Sequence, residues 1–176
     1  GGSTGIICRS TNFVNVSNNI INNIRMSFEV ESSGIGGIYM EATSSGSCSV
    51  INNTITNVIS RARGGNPLIL GSANMNALTV FVKGICTVRG NTISNFGNTY
   101  TLAGLSPSNV LGMTILQTLA GTVVEKNVIT DLYGSDVVTG TNAQGIVGFS
   151  TAQSATAIFS NNVISLNGSS FASDKR

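Results

Sequence analysis

An asparagine-containing pattern of nine residues occurs five times in this chain of 176 residues. Its copies span 16–24, 50–58, 88–96, 124–132 and 159–167. All copies share one asparagine, called the marker asparagine below: Asn19, Asn53, Asn91, Asn127 and Asn162. Successive markers are 34, 38, 36 and 35 residues apart. A repeat of this length predicts a fold that is built by stacking similar units.

The spacing of apolar residues around the marker predicts a corner in the chain. Val50 lies three residues before its marker and Ile55 lies two residues after it, and every copy has apolar residues at these two places. Positions five residues apart lie on opposite faces of a straight strand. A sharp bend brings both onto one face, and asparagine, or glycine as at Gly90, tolerates the left-handed backbone of such a bend. A chain that bends at the same place in every unit winds into a solenoid.

A second element, glycine followed by an apolar residue, lies 14 to 17 residues before each marker. Its copies are Gly5-Ile6, Gly37-Ile38, Gly112-Met113 and Gly145-Ile146, with Asn76-Ala77 as the degenerate copy in the third unit. The intervening segments are short and rich in β-branched residues, and they lack a sustained helical period. Each unit is therefore predicted to contain two strands before the asparagine corner, one strand after it, and a variable connection.

These two motifs, Asn-Asn-x-Ile-x-Asn and the preceding Gly-Ile strand, resemble the asparagine-rich right-handed parallel β-helix repeats of large secreted and cell-surface proteins of the Bacteroidota. The resemblance covers roughly residues 5–168. It implies an all-β, right-handed parallel β-helix, or solenoid, of about five coils with long variable loops. It also implies a single β-helix segment over 1–176 that is part of a longer chain or assembly, and an extracellular or cell-surface location.

In such a stack, equivalent residues of successive coils lie about 4.8 Å apart. The marker asparagines are predicted to form a structural ladder, because side-chain amides can bond to one another and to turn backbone. A second ladder is expected at Asn23, Asn57, Asn95 and Asp131. Cys48 and Cys86 both lie five residues before a marker, so they are expected to stack as small core residues. A disulfide between them depends on side-chain geometry.

The long connections between units differ from one another, and variable loops on a regular scaffold are a common place for binding. They span about 25–36, 59–75, 97–111 and 133–144. Arg61 and Arg63, in the second connection, are candidates for contact with an acidic glycan or a neighbouring chain; solvated loop charge is the alternative. The outward positions of the third strand carry small or β-branched residues. Such a face suits packing between chains. It also resembles an ice-binding face, although the array is irregular.

Composition argues against most enzyme classes. The chain has 9 basic and 7 acidic residues and no histidine, so the commonest general base and metal ligand is missing. Glycosidases use two carboxylates that flank the scissile bond, and the acidic residues do not form such a cluster in the sequence. Glu41 is the best single candidate acid, whereas Arg89 and Glu125 are expected to form a surface ion pair. No catalytic residue, metal ligand or cofactor is predicted.

The sequence therefore predicts a non-enzymatic structural or adhesive module of a bacterial surface protein or filament that serves in attachment, gliding or prey capture. Its expected partners are neighbouring β-helix coils or subunits, as a homo-oligomer or fibre, and surface glycans. The net charge of +2 gives no indication of nucleic-acid binding, and no apolar stretch predicts a membrane span. The alternatives are a carbohydrate-binding or carbohydrate-cleaving β-helix and an ice-binding solenoid.

Overall fold

The structure, a computed structural model, describes residues 3–10, 12–26, 35–42, 46–61, 75–99, 110–116, 118–134, 143–149 and 157–165. These residues form strands and turns without a helix. The strands, in chain order, are β1 (Ser3–Ser10), β2 (Phe13–Ser17), β3 (Ile20–Arg25), β4 (Ile35–Ala42), β5 (Ser47–Ile51), β6 (Thr54–Ser60), β7 (Met75–Val82), β8 (Cys86–Arg89), β9 (Thr92–Asn98), β10 (Val110–Leu116), β11 (Val123–Glu125), β12 (Val128–Thr130), β13 (Leu132–Tyr133), β14 (Ala143–Phe149), β15 (Ile158–Ser160) and β16 (Val163–Ser165).

The strands belong to three sheets, and each sheet takes one strand from every successive unit. The first sheet has the order β1-β4-β7-β10-β14, the second β2-β5-β8-β11-β15, and the third β3-β6-β9-β12-β16, with β13 also paired to β9. Strand pairing is parallel in all three sheets. The predicted all-β, parallel architecture is confirmed for the described residues, and the strand order is consistent with a β-solenoid.

The core lies between the sheets and is continuous along the stack. The apolar positions before and after the markers both face inward: Val50, Val88 and Val124 are fully buried, as are Ile55, Ile93 and Ile129. The bend that allows this lies at the residue immediately before each marker. Those residues have φ between 52° and 64°, the left-handed region: Asn18, Asn52, Gly90, Lys126 and Asn161. The predicted corner is therefore present, and in each unit the residue at this corner has the conformation that asparagine and glycine favour.

The first sheet corrects one detail of the repeat. Leu78 pairs with Ile38 on one side and with Met113 on the other, so the third copy of the glycine–apolar element is Ala77-Leu78. The predicted assignment, Asn76-Ala77, was wrong by one residue. The number of residues between this element and the marker varies from unit to unit, so the spacing alone was compatible with both alignments.

Candidate functional site: an asparagine ladder and an arginine-lined groove

The marker asparagines form a hydrogen-bonded ladder that runs through the stack. Asn53 shows the interior pattern: its Nδ2 donates to Oδ1 of Asn91 (3.0 Å) and to the carbonyl oxygen of Val16 in the preceding unit (2.9 Å). Its backbone N–H also donates to Oδ1 of Asn91 (3.0 Å). Its own Oδ1 accepts from the backbone N–H and the Nδ2 of Asn19. Both hydrogens of the amide and both lone pairs of its oxygen are thereby used.

The same pattern continues to the other end of the stack. Asn91 donates in the same three ways, to Asn127 and Val50, and Asn127 donates to Asn162 and Val88. The side chains of the three interior markers are almost completely buried. Because a buried amide is costly unless it is fully hydrogen-bonded, the ladder requires units that are stacked in register.

The second ladder lies at a second set of left-handed corners on the surface. Asn23, Asn57, Asn95 and Asp131 have φ between 48° and 60°. Nδ2 of Asn95 donates to Oδ1 of Asn57 (3.0 Å), and Nδ2 of Asn57 donates to Oδ1 of Asn23. Asp131 joins the row through its backbone, since its carbonyl oxygen accepts from the N–H of Phe96 (3.2 Å) and its N–H donates to Ser165 (3.1 Å).

The two predicted core cysteines are register partners in the second sheet. Cys48 pairs with Cys86, and both are buried free thiols. A hydrogen bond with the Cys86 thiol, together with burial, raises the pKa of Cys48, so this thiol stays protonated. The backbone N–H of Cys86 donates to Oγ1 of Thr122 in the next unit (3.1 Å). The arrangement is that of inert core side chains rather than reactive thiolates.

A groove of about 420 Å³ lies where the strands of the third sheet end. It is lined by Arg25, Met26, Ile59, Arg61 and Thr99. Its wall is held by backbone bonds between units, from the N–H of Met26 to the Ile59 carbonyl (3.0 Å) and from the N–H of Thr99 to the Ser60 carbonyl (2.8 Å). Two guanidinium groups beside an apolar surface form a site that suits an anionic ligand.

The predicted loop contacts meet this groove only in part. Arg61 lines it, whereas Arg63 lies outside the described residues. Sequence reasoning missed Arg25, because the repeat pattern of this unit ends at Ile24. The register of the third sheet, in which Arg25 pairs with Ile59, brings it to the edge at which Arg61 follows β6. Burial raises the pKa of Tyr133, and the nearby positive charge of Arg25 opposes this.

The carboxylates singled out in the sequence are engaged in ion pairs. Glu41 lies 2.9 Å from Nε of Arg9, whose guanidinium is 5.9 Å from the centroid of the Tyr39 ring. Glu125 pairs with Arg89, the partner predicted from the sequence. Within the described ranges, no cluster of three or more histidine, cysteine, aspartate or glutamate residues could hold a metal ion.

The outer face of the third sheet carries two parallel columns of side chains. One column is Ile20, Thr54, Thr92, Val128 and Val163, and the other is Asn22, Thr56, Ser94, Thr130 and Ser165. The hydroxyl groups of Thr56 and Ser94 are hydrogen-bonded across units (2.9 Å). Both apolar and polar residues occur in the columns, so the face lacks a uniform threonine array.

In the part of the chain that the structure describes, no helix is long and apolar enough to cross a bilayer.

Comparison with known proteins gives no match: no protein family, curated protein or solved structure is significantly similar to this chain.

Proposed function

We propose that this chain is a structural or adhesive β-solenoid module of an extracellular bacterial surface protein or filament, in which it serves attachment, gliding or prey capture. Its units form a right-handed β-helix of about five coils. The general preference of crossover connections between parallel strands for the right-handed form supports this handedness. The five marker asparagines support the number of coils.

The observation that carries this proposal is the uninterrupted ladder of buried marker asparagines. Each interior marker is hydrogen-bonded to the unit before it and the unit after it. These hydrogen bonds in the core hold the units in register. The two carboxylates that stood out in the sequence are paired with arginines. The ladder supports a role as a shaft whose units are held in register. The paired carboxylates support a non-enzymatic role.

The proposal is tested on the cells that produce the protein. Antibodies raised against the purified chain should label intact cells, and permeabilisation should not increase the signal. Labelling that requires permeabilisation would contradict the surface location. In parallel, the purified chain is incubated with a panel of acidic and neutral polysaccharides, and release of reducing ends is measured. Release above that of a heat-denatured sample would instead support the carbohydrate-cleaving alternative.

The groove supports a second candidate function, binding of an acidic polysaccharide. Arg25 and Arg61 supply positive charge beside the apolar side chains of Met26 and Ile59, which suits a carboxylate on a sugar ring. Polygalacturonate is the probe, with neutral dextran as the comparison.

Changing both groove arginines to glutamine, Arg25→Gln with Arg61→Gln, should weaken binding of polygalacturonate at least tenfold in a titration. The control, Arg9→Gln with Arg89→Gln, removes the same net charge outside the groove and should weaken binding much less. Equal losses in the two double variants would show that general charge, rather than the groove, attracts the polymer.

A further inference from the structure

Cys48 and Cys86 form an isolated pair within one inward-facing column of the second sheet. They are register partners in the second and third units. Val14 precedes them in the column, and Thr122 follows them, with its Oγ1 accepting from the backbone N–H of Cys86 (3.1 Å). Each cysteine therefore has the other as its cysteine neighbour along the column, and a covalent bond between them would join two successive units.

The geometry of the pair meets the requirements of a disulfide. Register partners on neighbouring strands lie about 4.8 Å apart, and disulfides join residues whose Cα atoms lie about 4.4–6.8 Å apart. Both side chains point into the same core. The two thiols are also in contact, because a hydrogen bond with Cys86 is the largest cause that raises the pKa of Cys48. Joining the sulfur atoms needs side-chain rotation and a small approach of the strands, because a disulfide prefers a Cβ–Cβ distance of about 3.8 Å.

The turn that precedes these strands already brings the two units close together. Gly46 and Gly84 each lie two residues before a cysteine. A Cβ at Gly84 would collide with the carbonyl oxygen of Gly46, so only glycine fits at this approach. The backbone N–H of Cys48 donates to the carbonyl of Ile85 (3.0 Å). The second and third units are therefore held in register at close range beside the two sulfur atoms.

We propose that Cys48 and Cys86 form a disulfide that crosslinks the second and third units when the chain folds in an oxidising compartment, and that Cys8 remains a free thiol. Cys8 lies in the first sheet, where its register partner is Met40. One pair and one single thiol account for the odd number of three cysteines. The inference deepens the proposed shaft function and rests on it, because extracellular proteins form and keep disulfides.

The bond forms by thiol–disulfide exchange with an oxidant that itself carries a disulfide, such as glutathione disulfide. The thiolate of one cysteine attacks a sulfur of the oxidant, which forms a mixed disulfide and releases one thiol of the oxidant. The thiolate of the second cysteine then attacks the sulfur of the first cysteine and releases the other thiol. Two electrons pass to the oxidant, and the two protons that the cysteines lose end on its sulfur atoms.

Burial in the folded chain determines when this exchange can occur. Cys48 and Cys86 are 3% and 0% exposed, and the thiolate rather than the thiol is the attacking species. The bond must therefore form while the chain is folding, before the pair is buried in the core. Once formed, it is protected from external reductants by the same burial.

The crosslink would stabilise the shaft between its second and third units. It closes a loop over residues 48–86, which contains β6 and β7. Closing such a loop removes conformational entropy from the unfolded chain, and it should raise the ratio of folded to unfolded chain by about 30-fold or more. Under a pulling force along the shaft, these two units would stay joined even where the hydrogen bonds between them break.

The first experiment counts the thiols of the exported protein. Protein collected from the surface of the producing cells is denatured in acid without reductant, and its free thiols are alkylated. Trypsin leaves the three cysteines in separate peptides, which are the one that ends at Arg9, 26–61 and 84–89. Alkylation should occur on Cys8 alone, and 26–61 should be joined to 84–89. Three alkylated thiols, or a disulfide that includes Cys8, would overturn the inference.

Variants separate the crosslink from the packing of the cysteine side chains. Each chain is refolded from the reduced, unfolded state in a glutathione redox buffer and is then denatured in guanidinium with and without reductant. Reductant should lower the midpoint of the unmodified chain and of the control, Cys8→Ala. It should not change the midpoint of the double variant, Cys48→Ala with Cys86→Ala. An equal shift in the double variant, or no shift in the unmodified chain, would contradict the crosslink. If the double variant does not fold, the peptide map of the refolded unmodified chain decides the question.

The order of events has its own test. The chain that is already folded and reduced is placed in the same redox buffer, and it should form the bond about tenfold more slowly than the refolding chain, because its thiols are buried and protonated. Equal rates would contradict formation before burial.

The crosslink and the surface function fail separately. Protein that is labelled on intact cells but carries three thiols refutes the crosslink and leaves the surface location intact. Labelling that requires permeabilisation contradicts the location, and refolding of the purified chain in the redox buffer still tests whether the pair closes.

Discussion

Each interior marker asparagine satisfies backbone groups that the bend leaves without a partner. At the bend the chain leaves one sheet and enters the next, so backbone N–H and carbonyl groups turn toward the core. The side chain of Asn91 accepts a hydrogen bond from the backbone N–H of Asn53 and donates one to the carbonyl of Val50. An aliphatic residue of the same size could fill this space but could not bond in two directions.

The position of a marker in the ladder should decide how much its side chain stabilises the fold. Asn91→Leu removes hydrogen bonds to Asn53, Val50 and Asn127, and it leaves buried groups unpaired. We expect a loss of about 3–5 kcal/mol in the free energy of unfolding. Asn19→Leu removes only the two bonds that its Nδ2 donates, at a less buried place, and should cost about 1 kcal/mol. Guanidinium denaturation measures both; equal losses would contradict the ladder's role.

The sequence could predict the marker column because asparagine recurs there in all five copies. It could not show which residue bends. The left-handed residue is the one before the marker, and its identity changes from asparagine to Gly90 and Lys126. The chain tolerates a lysine there because a single left-handed residue costs only about 1–2 kcal/mol, which the ladder beside it offsets.

At the level of the strands, the glycine–apolar element positions the first sheet against the third. A Cβ at Gly37 would lie 2.4 Å from the Ala77 carbonyl oxygen and 2.8 Å from Cδ1 of Ile55. Glycine therefore allows β4 to approach β6, which carries Ile55. The neighbouring Gly36 has its nearest atom, Oγ1 of Thr4, at 3.3 Å, so it is not under the same constraint.

Adjacent glycines of one strand should therefore respond differently to the same substitution. Gly37→Ala overpacks the core and should lower the free energy of unfolding by about 1–3 kcal/mol. Gly36→Ala should change it by less than about 0.5 kcal/mol, because the added methyl group needs only a small shift of Thr4. Chemical denaturation of the two variants under identical conditions gives the comparison. If Gly36→Ala were as damaging as Gly37→Ala, the packing of the first sheet on the third would not explain the motif.

Strand register was predictable where a side-chain column repeats, and less so elsewhere. Cys48 and Cys86 were placed together correctly because both are counted from a marker only five residues away. Ala77 was misplaced because the turn between the first and second strands differs in length between units. The groove depends on residues at the ends of strands, such as Arg25 and Thr99, where the repeat pattern stops and gives no register.

In the molecule as a whole, folding raises the pKa of three side chains, and each of them therefore favours its neutral form in the folded protein. Burial, and next the negative charge of Glu41, raise the pKa of Tyr39 against the opposing effect of Arg9. Burial raises the pKa of Tyr133, and the contact with Cys86 raises that of Cys48. A group with a raised pKa in the folded state contributes stability that is present below its unfolded pKa and lost as pH rises through its folded pKa.

We therefore expect the free energy of unfolding to fall as the pH rises above about 8.5, the ordinary pKa of a cysteine thiol, and to fall further above about 10, the ordinary pKa of tyrosine. The unfolded chain releases these protons first, so ionisation pulls the equilibrium toward unfolding. Denaturation midpoints measured at a series of alkaline pH values report this loss. In the variant that combines Tyr39→Phe with Tyr133→Phe, the two phenols no longer contribute, and the decline should be shallower. The same slope in both proteins would show that other groups, and not these half-buried phenols, make the stability of the fold depend on pH.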